Sequence, residues 1–312
     1  MPSMINDLMK PTAYPENFKK IKFVQTHIST VFIGDEFVYK IKKPVNFGFL
    51  DFSTLGKRNY YCKQEVELNN RFSKGVYLGV YPVTFDGKKY SIDGKGEIVD
   101  YAVKMRRLSD EDLLKSRFKK GNVTNEDIGR IAAAIASFHK TSTRSKEIDE
   151  FGNIKTIKFN TDENFEQTAE FIDDSISKEQ HNDLRNWTDN FYKEHEELFD
   201  RRIEEGKIRD CHGDLHMEHI CLTDPIIIFD CIEFNNGHNL SEQLLKSYLT
   251  HIDEKNDDIY ELIKFYKVYR AYVRGKVTSF TLKDSAVPED KKTEAREIAK
   301  RYFALAHSFV SE

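Results

Sequence analysis

Residues 209–235 read RDCHGDLHMEHICLTDPIIIFDCIEFN. His212, Asp214, His216, Glu218 and His219 crowd one short loop, and the apolar run that follows ends in Asp230. Two chemistries compete for this pattern. Histidines and a carboxylate at close spacing suit a transition-metal cage. A carboxylate to take a proton, metal ligands a fixed distance on, and a second aspartate delivered by a hairpin suit phosphoryl transfer. The spacing favours the second. His212-Gly213-Asp214 gives HxD, and ICLTDPIIIFD reads as strand, turn at Thr223–Pro225 and strand, which returns Asp230 to the loop.

Phosphoryl transfer also needs a cation on the phosphates, which kinases place on a strand and pair with a helix glutamate. The segment EFVYKIKK supplies Lys40 and Lys42 on one face of a strand, because side chains alternate. Glu65 and Glu67 are the candidates in the helix that follows. Lys40 and Glu65 are preferred, since Lys40 directly follows the apolar run FVY.

The bulk properties set limits. The 312 residues are enough for one large or two ordinary domains, and 39% apolar with 32% charged residues is a globular composition. A net charge of -4 argues against general nucleic-acid binding. The opening MPSMINDLMKPTAYP lacks the pattern of a secretory leader, and no apolar run approaches a membrane span. The four cysteines form no CxxC pair, so the expectation is a cytoplasmic chain with reduced thiols.

The texture changes near Leu108. Before it, strands are expected at 21–26, 30–33, 36–42, 76–85, 88–92 and 97–108, with one helix over 54–72. After it, helices dominate. SDED at Ser109–Asp112 and TNED at Thr124–Asp127 read as helix starts, and residues 177–206 read as one long helix ending at Gly206. The expected fold class is α+β and two-lobed. Residues 1–107 form a small antiparallel β-sheet lobe with one main helix that binds nucleotide. Residues 108–312 form a larger, mostly helical lobe with the catalytic loop and acceptor site.

From about Gln25 to Lys276, the segments THIS…VYKIKKPVNFGFLDFSTL and HGDLHxEHIC…FDCIEFN make the chain resemble the aminoglycoside phosphotransferase-like branch of the protein-kinase superfamily. The resemblance implies a two-lobed kinase fold, ATP or GTP as donor, Mg²⁺ with Mn²⁺ as the alternative, and a small hydroxylated acceptor such as a sugar or aminoglycoside. It makes Asp214 the catalytic base and Asp230 the principal metal ligand. Lys40 would hold the α/β-phosphates, oriented by Glu65, and Lys104, Met105, Arg106 and Leu108 would belong to the linker facing the adenine. His139 would be structural. The chain departs from the kinase pattern twice. No GxGxxG precedes the second strand, so the Ser29 and Thr30 hydroxyls are expected to cover the phosphates. His219 stands where the pattern has asparagine, and imidazole suits Mn²⁺ or Zn²⁺ better than Mg²⁺.

His212, His216 and Glu233 are read as loop support or acceptor contacts. Arg270 and Arg274, one helical turn apart among tyrosines, either line an acceptor pocket or face solvent on an amphipathic helix. The expected partners are a nucleotide and a small acceptor, without nucleic acid or membrane, for a monomer or weak dimer. Two other functions fit the residues less well. One is a kinase fold that binds nucleotide without turnover. The other is a metallohydrolase using His212, Asp214, His216 and His219.

Overall fold

The computed structural model describes residues 3–46, 50–231, 242–252, 258–284 and 287–311, with backbone only for 242–246. In chain order the elements are α1 (Met4–Leu8), β1 (Lys22–Gln25), β2 (Ser29–Ile33), β3 (Phe37–Lys42), α2 (Leu55–Asn70), β4 (Tyr77–Phe85), β5 (Tyr90–Ile92), β6 (Glu97–Arg106), α3 (Leu114–Lys119) and α4 (Asn125–Thr141). They continue with α5 (Lys146–Asp149), α6 (Ile154–Thr168), α7 (Lys178–Glu194), α8 (Glu196–Glu204), β7 (Ile220–Cys221), β8 (Ile227–Ile228), α9 (Glu242–Ile252), α10 (Asp258–Phe280) and α11 (Glu289–Ser311). The class is α+β, as expected.

The chain groups into two compact units, Met1–Arg130 with His212–Asn236, and Ile131–Cys211 with Gly237–Glu312. The first unit therefore continues past residue 107 and takes in the hairpin. The physical link is visible: the Leu222 N–H donates to the Asp112 carbonyl at 2.7 Å, and Leu113 bridges to Cys221.

The first unit holds a six-stranded sheet in the order β1-β2-β3-β6-β4-β5, with every neighbouring pair antiparallel. Alternation along β3 assigns its residues to two faces. Tyr39 and Ile41 join Phe32, Val83 and Ala102 in a core that the N-terminal segment closes with Leu8, Tyr14 and Phe18. Lys40 and Lys42 point to the other face, where α2 packs on β4 and β6 through Cys62, Tyr77 and Val103. Thr54 starts α2, its hydroxyl accepting the Lys57 N–H at 3.2 Å. TNED behaves as read, since Thr124 and Asp127 accept each other's amide hydrogens. SDED does not start a helix: the Ser109 hydroxyl accepts the Glu111 N–H in a turn, and α3 begins at Leu114.

In the second unit the expected single helix over 177–206 is broken at His195 into α7 and α8. The His195 ring stacks on Phe191 at 4.1 Å, and Leu198 and Phe199 of α8 join the cluster of Phe191, Tyr192, Leu262 and Phe265. The α7 start is a full capping box of Ser177 and Gln180. Helices α10 and α11 pack closely because Gly275 faces the Phe303 ring, which a Cβ there would approach to 2.7 Å. Gly275→Val should therefore lower stability by about 1–3 kcal/mol, read as an earlier urea midpoint. An unchanged midpoint would contradict this packing.

Candidate active site

On the face of β3 turned toward α2, two lysines meet one carboxylate. Lys40 Nζ lies 2.9 Å from Glu65 Oε1, and Lys42 Nζ lies 2.6 Å from Glu65 Oε2. Glu65 is fully buried and Lys42 is 1% exposed, whereas Glu67, two positions on, faces solvent. The alternatives in the sequence thus resolve unevenly: Glu65 is the carboxylate, but both lysines hold it. Burial alone opposes ionisation of Glu65, yet the charges of Lys40 and Lys42 prevail and keep its pKa below the usual value. The Phe52 ring lies 4.8 Å from the Lys42 ammonium and adds a cation–π contact.

Lys40 also reaches Asp230 Oδ1 at 2.7 Å. Packing around Asp230 opposes its charge, but Lys40 outweighs it, and the carboxyl stays well below the ordinary range. Asp230 adopts a left-handed backbone with φ of +59°, which aspartate tolerates better than most residues. Two side chains hold this conformation. The Asp230 N–H donates to the Tyr77 hydroxyl at 3.0 Å, and the next N–H, of Cys231, donates to Asn69 Oδ1 at 2.8 Å. Sequence reading missed both residues. Asn69 had a usable signal, because it lies one helical turn after Glu65 on the same face of α2.

The loop before Asp230 folds on its own backbone. Gly213 has φ of +83°, which a side chain would resist, between His212 and Asp214. His212 turns inward: its Nε2 donates to the Phe229 carbonyl at 2.9 Å and its ring meets Phe72 edge-on. Burial pushes its pKa down to about 4, so it is a neutral support. Strands β7 and β8 pair as the expected hairpin, and the Phe229 N–H donates to the His219 carbonyl at 3.0 Å.

Asp214, His216 and His219 come together, their ligand atoms within 4.8 Å of one another. His212 does not join them, so the four-residue cage of the metallohydrolase reading does not assemble. His216 Nε2 is 3.5 Å from Asp214 Oδ2, and its ring lies against His219, tilted by 34° with the centroids 3.7 Å apart. His219 Nδ1 donates to the Asp214 carbonyl at 2.9 Å, while its Nε2 stands 3.5 Å from Asp230 Oδ2. Burial, with His216 adding to it, lowers the His219 pKa. The facing Asp230 carboxylate oxygen and His219 imidazole nitrogen are ligand types that suit a divalent cation.

The remaining candidates are placed unequally. Ser29 pairs with Lys42 across β2–β3 and shares its face; its buried hydroxyl finds no hydrogen-bond partner among the described residues. Thr30 is buried on the opposite face, because it pairs with Ile41. Lys104 is likewise turned away: it pairs with Tyr39, forms an ion pair with Glu16 and lies over the Phe37 and Tyr81 rings. Residues 104–106 belong to β6 rather than to a linker. Met105 and Leu108 pack on the lysine face near Tyr77 and Phe229, and Arg106 is exposed. In the second unit, Arg270 is buried and Arg274 half-buried on α10, so the solvent-facing alternative fails for Arg270. His139 Nδ1 is 2.7 Å from the Tyr248 hydroxyl. Glu233 lies outside the described residues.

Because Lys42 and Glu65 share one buried ion pair, Lys42→Met should destabilise the protein by roughly 3 kcal/mol, the scale for removing one partner of such a pair. Adding Glu65→Gln should recover part of the loss. Urea denaturation of the two variants measures both effects, and a neutral Lys42→Met would refute the shared pair.

No family model matches the chain. Uncharacterised proteins of Mycobacterium tuberculosis and Mycobacterium bovis are 30% identical to it over 275 residues, 81% of this chain and 53% of theirs. The chain thus spans about half the length of these curated relatives. Among solved structures, the GDP complex of wild-type aminoglycoside 2'-phosphotransferase-IIIa matches with a TM-score of 0.59 at 12% identity, covering 97% of this chain and 99% of that one. A second GDP complex, of a mutant of that enzyme, matches with a TM-score of 0.55 at 13% identity, covering 97% and 98%. The chain therefore shares its overall fold with these aminoglycoside 2'-phosphotransferase structures.

Proposed function

We propose that the chain is a phosphotransferase that moves the γ-phosphoryl group of ATP or GTP to a hydroxyl of a sugar, aminoglycoside or similar metabolite. The observation that carries this reading is Lys40, which touches both the helix carboxylate Glu65 and the hairpin carboxylate Asp230. That is the arrangement phosphoryl transfer needs, with a cation for the phosphates beside the aspartate that holds a metal ion. The GDP bound in the two similar structures fits the same reading.

In this mechanism Asp214 accepts the proton of the attacking hydroxyl, and its exposure of about one third leaves room for an acceptor. Lys40 exchanges Asp230 for phosphate oxygens, while Lys42 keeps Glu65 charged and in place. Asp230 and His219 would hold the divalent cation, Mg²⁺ or Mn²⁺, which would supply positive charge against the phosphates. Ser29 lies beside the phosphates, and Met105 and Leu108 meet the base of the nucleotide. In this division residues 1–107 bind the nucleotide, and the catalytic loop belongs with them to the first unit. Among the described residues no helix is long and apolar enough to cross a membrane. The reading places the chain in the cytoplasm as a monomer or weak dimer.

A nucleotide-consumption screen over sugars, amino sugars, nucleosides and aminoglycosides tests this reading, with Asp214→Asn as the blank. Turnover with at least one acceptor class is expected. It should fall by roughly 10²–10⁴-fold in the variant, the range for losing a general base. Turnover that survives in Asp214→Asn would remove Asp214 from its role.

A further inference from the structure

The two adjacent imidazoles of the loop carry opposite tautomers, assigned from their partners. His219 Nδ1 lies 2.9 Å from the Asp214 carbonyl oxygen, which can only accept, so that nitrogen carries the hydrogen. Nε2 of the neutral ring then presents a lone pair. It faces Asp230 Oδ2 at 3.5 Å, an oxygen that also offers only lone pairs when ionised. Two acceptors turned toward each other repel unless a cation lies between them. Ligand atoms roughly 2.1 Å from one ion stand about 3.0–3.4 Å apart at octahedral or tetrahedral angles, close to the separation found. The Asp214 carbonyl does for His219 what an outer-shell acceptor does for a metal-bound histidine: it fixes the tautomer and aims the other nitrogen.

His216 differs. Its Nδ1 accepts the Glu218 N–H at 3.2 Å, so its Nε2 keeps the hydrogen and points it toward Asp214 Oδ2. Although Asp214, His216 and His219 lie close enough to share an ion, His216 is a donor here and not a ligand. The other oxygen of Asp230 belongs to Lys40, which leaves Oδ2 for the ion.

We infer that the cation of this site is bound through His219 Nε2 together with Asp230 Oδ2, and that the imidazole makes the site select Mn²⁺ over Mg²⁺. The inference rests on the phosphotransfer reading for the place of the nucleotide, but its ligand set stands on the loop geometry. Magnesium prefers an all-oxygen shell and gains little from imidazole, whereas Mn²⁺ accepts nitrogen readily. His216 contributes no metal bond and instead holds the Asp214 carboxylate as a positioning residue.

Pulsed electron paramagnetic resonance of Mn²⁺ on the full chain, with ADP present, tests the ligand directly. The expected spectrum shows modulation from one coordinated ¹⁴N, which changes to the ¹⁵N pattern when the histidines are labelled. His219→Asn should abolish it and His216→Asn should retain it. Competition should require roughly tenfold more Mg²⁺ to displace Mn²⁺ from the wild type than from His219→Asn, the lower end of what losing a supported ligand costs. Bound Mn²⁺ without nitrogen coupling in the wild type, failure to bind Mn²⁺, or coupling that persists in His219→Asn would each overturn the inference. The labelled wild type decides the point even if a variant fails to fold. Nitrogen-coupled Mn²⁺ in a protein that transfers no phosphate to any acceptor would overturn the phosphotransfer reading instead and leave the ligand assignment standing.

Discussion

Glu65 sits fully buried between Lys40 and Lys42, and Lys40 carries the charge onward to Asp230. A lone buried carboxylate would cost several kcal/mol, and a single lysine repays such a cost only with good geometry. Here two ammonium groups face two carboxylates, so the cluster is neutral as a whole and each charge has a close partner. The ladder ties together a strand, a helix and the end of the hairpin. The rest of the site hangs from it: Tyr77 and Asn69 hold the backbone of Asp230, and Asp230 faces His219.

Under the proposed phosphotransfer, this cluster would separate two jobs, contact with phosphate and support of the helix carboxylate. In the proposed mechanism Lys40 would turn to phosphate, and a helix glutamate held by that lysine alone would lose its partner. Lys42 keeps the second oxygen of Glu65 occupied at 2.6 Å, so the helix carboxylate need not move with its partner. The glycine-poor hairpin of β1 and β2 fits the same logic. Its tip is not shaped around glycines, and the buried Ser29 hydroxyl on the lysine face is the polar group that it offers.

The sequence was most informative where a period fixes direction. Alternation put Lys40 and Lys42 on one face, HxD spacing and the hairpin brought Asp214, His219 and Asp230 together, and cap chemistry located α7. It failed where register or tertiary packing decides. Thr30 and Lys104 fall on the wrong face because cross-strand pairing with Ile41 and Tyr39 sets their direction, and no local pattern encodes that pairing. The break at His195 has no proline or glycine to mark it, and the His195 ring stacks on Phe191 there. Competition between Lys40 and Lys42 looked exclusive because a strand pattern reports faces and not how far a helix carboxylate reaches. His212 resembled a cage member in the sequence, and only the path of the Phe229 backbone turns it inward.

The account stands or falls on whether the Lys40–Glu65–Asp230 ladder is a nucleotide site. Calorimetric titration of ADP and GDP, each with Mn²⁺, into the wild type and into Lys40→Met measures this most directly. The account predicts saturable binding of at least one nucleotide by the wild type and at least a roughly tenfold weaker affinity in the variant, the scale of one lost charge-assisted contact. Equal affinity in both proteins, or no binding by the wild type, would contradict it.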